Sequence, residues 1–422
     1  MDATEARAIV DRYFDKRAVK EAVVRIARTR TPQTELYERE PQILRAIRTM
    51  YRPAFESFGC DTWIDDYGNL IATQGKGTAG QTVMFMSFAM AWMEGTMPDP
   101  WSGEVMDGKP FDIEGEVVWG RGGSEYHPTN AAMLECARIV HEADVDIPGK
   151  IIYVVSSAGH SSSSDPVYHI IHNDQLAADL CIIVGSPFVV LGNMGRLDLR
   201  FKVYGKSVHS GGELEVGLNA IEGGLRALER VQKIMPFPPK GVRDPDMGQG
   251  RLSIIGLGSY PFSPGFHDGV GSGGHTLQNL MRIMFDRRLA PGQDVQAAVD
   301  EIRDAIGDMT PWRVTFERGA LQYPTKHKKN DRIVLSLVEA YKAALDNEPT
   351  YGYVDYTIDA GYMNNAGIPT IMYGGIDMRF AHGDTDVTNL PVTYGVAKVF
   401  TTWAITNTTQ EPGAAATGET RR

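Results

Sequence analysis

The sequence predicts an α/β protein: a catalytic domain on a mixed, largely parallel sheet, carrying an inserted βαββαβ (ferredoxin-like) domain. Three observations predict it. Short apolar runs alternate with helical stretches, the pattern of a sheet covered on both faces. Residues 195–317 break that rhythm with strand, helix, strand, strand, helix, strand. The chain has 422 residues, more than one ordinary core holds, so about two domains are expected.

Taken in order, residues 2–30 and 40–57 carry helical periodicity and good helix formers. "DTWIDDYGNLIATQG" reads as two short strands around Asp-Tyr-Gly. The runs "TVMFMSFAM", "KIIYVVSS", "DLCIIVGSP" and, much later, "PTIMYGG" read as buried strands, with helices such as "TNAAMLECARIVHEA" between the first three. In the insertion, "RLDLRFKVYGKS", "RLSIIGLGSY", "LQNLMRIMFDRRL" and "WRVTFERGA" read as strands. "LNAIEGGLRALERVQKIM" and "VQAAVDEIRDAIGDM" are amphipathic helices. The expected division is 1–194 with 318–408 as the catalytic, metal-binding domain, 195–317 as the inserted lid and dimerisation domain, and 409–422 as a small, polar, disordered tail.

A net charge of −11, with no basic stripe, argues against nucleic acid or an anionic membrane as partner. No apolar run reaches the ~20 residues of a membrane span. Cys60, Cys136 and Cys181 are widely separated and form no CxxC pair. They read as buried thiols in a reducing compartment, and the charged, helical N-terminus reads as no secretory signal, so a cytoplasmic protein is expected.

Several motifs then fall in one order. "WSGEVMDGKPFDIEGEVVWGRGGSE" resembles the run before a metal-binding acid in the M20 metallopeptidase/amidohydrolase family. "VYGKSVHSG" with "GLNAI" is similar to its Gly-Lys-x-x-His and Asn-Ala, "DRRLAPGQD" to its Arg-x-x-Pro-Gly, and "AHGDTDVTNL" to its late His followed by an acid. The resemblance implies a discontinuous catalytic domain, a lid domain that dimerises, and two metal ions.

Carried over residue by residue, it also implies a changed metal site. The family's His-x-Asp falls on Phe88 and Met90, and the acid of its Gly-Glu-Pro falls on Ser186. One metal therefore keeps only the shared acid, Glu125. The other keeps a donor at each position: Glu125, His160 in place of the second Glu of a pair, and His382. The first Glu of that pair, the family's general base, is Gly159. The expectation is one divalent transition metal ion per subunit, Mn²⁺ or Zn²⁺, with Co²⁺ or Fe²⁺ as further candidates.

Each residue also has a plainer reading. His160 suits a serine-rich loop, Glu125 a first helical turn, and His382 a turn. His127 is a ligand, a proton carrier or a surface group. His209 is an ordinary strand-end histidine or, as in relatives, a residue reaching into the neighbour's site, which implies a homodimer or higher homo-oligomer. Asn279, Arg288 and Arg379 are candidate holders of a substrate carboxylate, or packing groups. The Gly-rich "FSPGFHDGVGSGGH", with His267 and His275, matches no phosphate-binding pattern and reads as a mobile or intersubunit loop.

Loss of a general base typically costs ~10² to 10⁴ in rate, which disfavours an unactivated peptide bond. A single metal lowers the pKa of water toward ~7, enough to attack an activated aromatic carbon. The resemblance, in family and in altered site, extends to replacement of the aromatic amine of 5-nitroanthranilate by hydroxyl, giving 5-nitrosalicylate and ammonia. The expected partner is thus a small carboxylate-bearing aromatic amine. Two other readings stand beside it: an amidohydrolase, deacylase or peptidase with Asp165, His127 or Asp384 as substitute base, and a binding protein without turnover.

Overall fold

A computed structural model describes residues 1–34, 36–159, 165–212, 214–260 and 275–409. His160, residues 262–274 of the Gly-rich loop and the tail from 410 lie outside the described residues. Asp165 opens the helix Asp165–His172, and its side chain also lies outside them. Thr409, taken above as the first tail residue, ends the helix Leu390–Thr409.

Along the chain the strands are Asp61–Ile64 (β1), Leu70–Gln74 (β2), Thr82–Phe88 (β3), Glu116–Trp119 (β4), Lys150–Ser156 (β5), Leu180–Ile183 (β6) and Val189–Asn193 (β7). Gly195–Tyr204 (β8), Leu252–Tyr260 (β9), Leu280–Leu289 (β10) and Arg313–Gln322 (β11) follow. Thr370–Met372 (β12) and Val387–Asn389 (β13) come last. The chain divides into two compact units: residues 1–191, 327–353 and 358–422 in one, and 192–326 with 354–357 in the other.

In the first unit the sheet runs β1-β2-β5-β3-β6-β12-β7. Its centre is parallel, with β3 between β5 and β6 and β12 beside β6. The hairpin β1–β2 and strand β7 add antiparallel edges. The central strands are buried on both faces, so they read as unbroken apolar runs rather than alternations. Phe85 of β3 is fully buried. Its ring stacks on Phe400 (centroids 4.5 Å apart) and Tyr153 (5.8 Å) and meets Trp403 edge-on. Phe400 and Trp403 come from Leu390–Thr409, a helix apolar nearly all round and accordingly buried. No helix among the described residues is long and apolar enough to cross a membrane. All three cysteines are buried and free.

The N-terminal periodic stretch is two helices, Ala3–Tyr13 and Lys16–Ala27, because Asp15 breaks it and caps the second through the Arg17 amide. The 40–57 stretch likewise holds Pro41–Ala46 and Arg52–Ser57 around a wider turn at 47–51.

The second unit is an antiparallel sheet of order β9-β10-β8-β11 with helices Ala220–Gln232 and Val295–Ile306. Leu197, Leu199, Phe201 and Val203 of β8 alternate inward against Ala227, Val231, Ala298 and Ile302. Asn219, from the Asn-Ala motif, caps the first helix through the Ile221 amide at 3.0 Å, and its carbonyl accepts from the Trp312 indole at 2.8 Å. This is the βαββαβ order read from the sequence.

Phe85→Ala removes the ring that joins sheet to helix in the first unit. It is expected to lower unfolding stability by about 3–5 kcal/mol, read by denaturant titration.

Candidate metal centre

Strand β4 ends in the turn Gly120–Tyr126, and the helix His127–Glu142 starts behind it. Gly122 has φ +89°, and a Cβ there would lie 2.4 Å from the Tyr126 ring, so the turn requires glycine. The fully buried Asp386 carboxylate clamps the turn by accepting from the Gly122 and Ser124 amides, both at 2.8 Å. Burial, then the charge of Glu125, raises Asp386 to about 6 against the pull of those amides. Arg121, also buried, stands 3.6 Å from Asp386 and donates to the carbonyls of Gly383 (2.6 Å) and Glu94 (2.8 Å). One ion pair thus ties together the turn that carries Glu125 and the loop that carries His382.

Between those two segments, His382 Nε2 lies 3.2 Å from Glu125 Oε1. His382 adopts φ +65°. Trp92 stacks flat on its imidazole, ring centroids 4.1 Å apart and planes 9° apart. Thr96 adds a 2.7 Å hydrogen bond to Asp384 two residues on. Glu125 is mostly buried, and the His382 side chain is 43% exposed, which leaves the pair open on one side.

The donor chemistry fits a divalent transition metal. Two ligand atoms about 2.0–2.1 Å from a tetrahedral ion stand about 3.3 Å apart, close to the Glu125–His382 separation. These two residues would hold the ion, with His160 the third donor expected from the resemblance.

Of the positions expected to have lost the other metal, Phe88 and Met90 are apolar and packed. Phe88 and Met90 are buried, and the Phe88 ring lies 5.2 Å from that of Tyr126. Asn130 fixes the Phe88 carbonyl at 3.0 Å. Gly159 has φ +55°, and a Cβ there would fall 2.8 Å from the Phe88 Cβ and 2.9 Å from its Cγ. Phe88 therefore occupies the space that any side chain at 159 needs. Ser186 is buried, its carbonyl accepting from the Gly374 amide.

The other expected site residues have these surroundings. His127 is completely buried, with Nδ1 3.4 Å from the Thr388 hydroxyl and its ring edge-on to Tyr126. Burial pushes it down to about 3, against a hydrogen bond with the Arg121 backbone, so its imidazole is neutral. Arg379 closes its fork on Asp377, with Nε to Oδ1 at 3.0 Å and Nη2 to Oδ2 at 2.6 Å. In the second unit, Arg288 Nε pairs with Asp286 at 2.9 Å. The Asn279 carbonyl there accepts from the Gly205 amide, and His209 is exposed, its Nδ1 accepting from the Gly211 amide.

Sequence reasoning did not single out Trp92, Arg121 or Asp386. Arg121 and Asp386 lie inside the quoted motifs, and for Arg121 its place between two motif glycines was the available signal. Trp92 gave none, since stacking on a residue 290 positions away leaves no local pattern.

Two outcomes follow. Gly159→Ala should destabilise by about 2–4 kcal/mol, through overpacking and positive φ. In a double-mutant cycle, Phe88→Ala should relieve at least about 1 kcal/mol of that cost; additivity would contradict the steric conflict. The folded pKa of His127 lies below its unfolded value, so its contribution is present above pH 6.5 and is lost as pH falls toward 3. Wild type should lose about 2 kcal/mol more than His127→Asn between pH 6.5 and 5, measured by denaturant titration at each pH.

Residues 191–314 match the model of the M20 peptidase dimerisation domain. No curated protein matches the chain. Among solved structures, an M20 family metallo-carboxypeptidase from Sulfolobus solfataricus aligns at TM-score 0.70 and 13% identity, over 92% of this chain and 98% of that one. A dipeptidase from Saccharomyces cerevisiae aligns at TM-score 0.70 and 11% identity, over 97% and 98%. The aminopeptidase PepT from Bacillus cereus aligns at TM-score 0.64 and 15% identity, over 94% and 99%. The chain thus carries an M20-type peptidase dimerisation domain over residues 191–314 and shares the fold of these solved peptidases over nearly its whole length.

Proposed function

We propose that the protein is a metal-dependent aminohydrolase with a one-metal site on Glu125, His160 and His382, converting 5-nitroanthranilate and water to 5-nitrosalicylate and ammonia. The observation that carries the reading is the pairing of Glu125 with His382 beside a packed Phe88–Gly159 contact. Donors for one ion remain, while Phe88 and Ser186 stand at the other ion's ligand positions and Gly159, packed on Phe88, at that of the base. When bound, the ion supplies hydroxide near neutral pH.

The chain's own residues do the rest. Asp386 and Arg121 hold the Glu125 turn and the His382 loop in register, and Trp92 fixes the plane of His382. With no carboxylate at 159 to shuttle a proton, the substrate must bring its own activation. A nitro group para to the amine does so by accepting the ring's developing charge. Arg379, Arg288 and Asn279 are the candidate partners of the substrate carboxylate, the two arginines each exchanging a present ion pair for it. Asp165 and His127 remain candidate proton carriers, although the depressed pKa of His127 makes it a weak base. His209 is proposed to serve the partner subunit's site in a homodimer.

The alternative is an amide or peptide hydrolase with a substitute base, favoured by the peptidase relatives in the fold. The test is an ammonia assay on chain loaded with Mn²⁺ or Zn²⁺ and given 5-nitroanthranilate. Ammonia and 5-nitrosalicylate should appear in equal amounts, and Glu125→Gln or His382→Ala should each lower kcat/KM by about 10²-fold or more. Release of amine and carboxylate from dipeptides, without ammonia from the aromatic amine, would establish the alternative instead.

A further inference from the structure

We propose that Asp65, His169 and Asp174 form a second divalent-cation site, suited to Zn²⁺ or Mn²⁺, that shares no residue with the Glu125–His382 centre. Each of the three offers a ligand atom, and these atoms lie within 4.8 Å of one another. Donors about 2.0–2.2 Å from an ion stand at most about 4.3 Å apart, so a small closing movement completes the site. One imidazole with two carboxylates suits a borderline transition metal better than Ca²⁺ or Mg²⁺.

The scaffold holds the donors in place. Asp65 sits in the β1–β2 turn, where Oδ1 accepts from the Tyr67 and Asn69 amides and Oδ2 from the Asn69 side chain. Asn69, fully buried, in turn donates to the Pro166 carbonyl and accepts from the Ser157 amide. His169 comes from the helix Asp165–His172, its side chain 11% exposed and its ring packed against Tyr67 at 4.7 Å. Asp174 follows that helix, with its amide bonded to the His169 carbonyl at 3.1 Å.

A second, independent observation points to a ligand. Asp174 Oδ2 is buried and has no hydrogen-bond partner, while Oδ1 lies 3.5 Å from His169 Nε2. Among the described residues no Lys or Arg pairs with Asp65 or Asp174. Burial, and then a side-chain hydrogen bond with Asp65, raises the Asp174 pKa, with His169 opposing. Two carboxylates and an imidazole thus lie within 4.8 Å of one another, with no Lys or Arg paired to the carboxylates among the described residues. A shared proton or a metal ion would satisfy them, and only the metal uses all three donors. A groove of about 300 Å³, lined by Asp65, Asp66, Tyr67, Arg39 and Arg48, opens at Asp65. Occupancy would tie the helix after residues 160–164 to the β1–β2 turn.

Metal counting on the full chain tests this. Chain dialysed to equilibrium against Zn²⁺, and separately Mn²⁺, is assayed for ions per polypeptide. In a Glu125→Gln/His382→Ala background about one equivalent should remain, and adding Asp174→Asn or His169→Ala should abolish it. In the otherwise unaltered chain, the near-isosteric Asp174→Asn should lower uptake by about one equivalent and diminish the metal-induced rise in Tm. The double-variant background separates this site's fate from that of the first centre. Unchanged uptake in both Asp174→Asn and His169→Ala chains would overturn the proposal. So would Asp174→Asn raising the metal-free Tm with uptake unaltered, the mark of a shared proton.

Discussion

A side chain at position 159 and the Phe88 ring compete for one space. The backbone around them leaves little latitude. Phe88 ends the central parallel strand, paired to Ser156, and the next amide, Ala89, bonds to the Ser156 carbonyl at 2.9 Å. The Phe88 carbonyl is held by Asn130 and its ring by Tyr126. The ring therefore cannot retreat without disturbing the strand end, and only glycine sits at 159 without conflict. Loss of an expected histidine ligand and loss of the expected glutamate base become one structural event. On the proposed one-metal reading, the ring that stands in place of the ligand also excludes the base beside it.

What remains of the centre is supported from the opposite side. Asp386 and Arg121 are buried together and join the glycine turn before Glu125 to the loop after His382. Removing one partner of such a pair leaves an uncompensated buried charge, so the arrangement resists piecemeal change. Trp92 completes the support by stacking on His382. The Glu125–His382 pair thus rests chiefly on contacts other than the Phe88–Gly159 one, as the proposed one-metal site requires.

The fold was legible where the pattern was local. Alternation in Leu197–Val203 and the apolar faces of the two lid helices spell out the second unit, and the doubly buried runs around Phe85 mark the parallel centre. The candidate site was legible as far as motifs carried it: Glu125 after Gly-Arg-Gly and His382 near the C-terminus, whose side chains the fold brings within 3.2 Å. The steric exclusion between Phe88 and Gly159 was not, because it depends on which strands neighbour one another. Nor was the grouping of Asp65 with His169 and Asp174, residues about a hundred positions apart that meet only through the sheet order. The break at Asp15 was missed because an aspartate interrupts a helical period as readily as it decorates one.

The most direct measurement of the central claim is electron paramagnetic resonance of the Mn²⁺-loaded chain, titrated from substoichiometric metal to saturation. Isolated ions at Glu125 and His382, with no partner ion beside them, predict six-line spectra of uncoupled Mn²⁺ throughout, and a high-affinity component lost in His382→Ala. A multiline, exchange-coupled spectrum emerging at two equivalents would reveal an ion pair bridged at Glu125 and contradict the one-metal account.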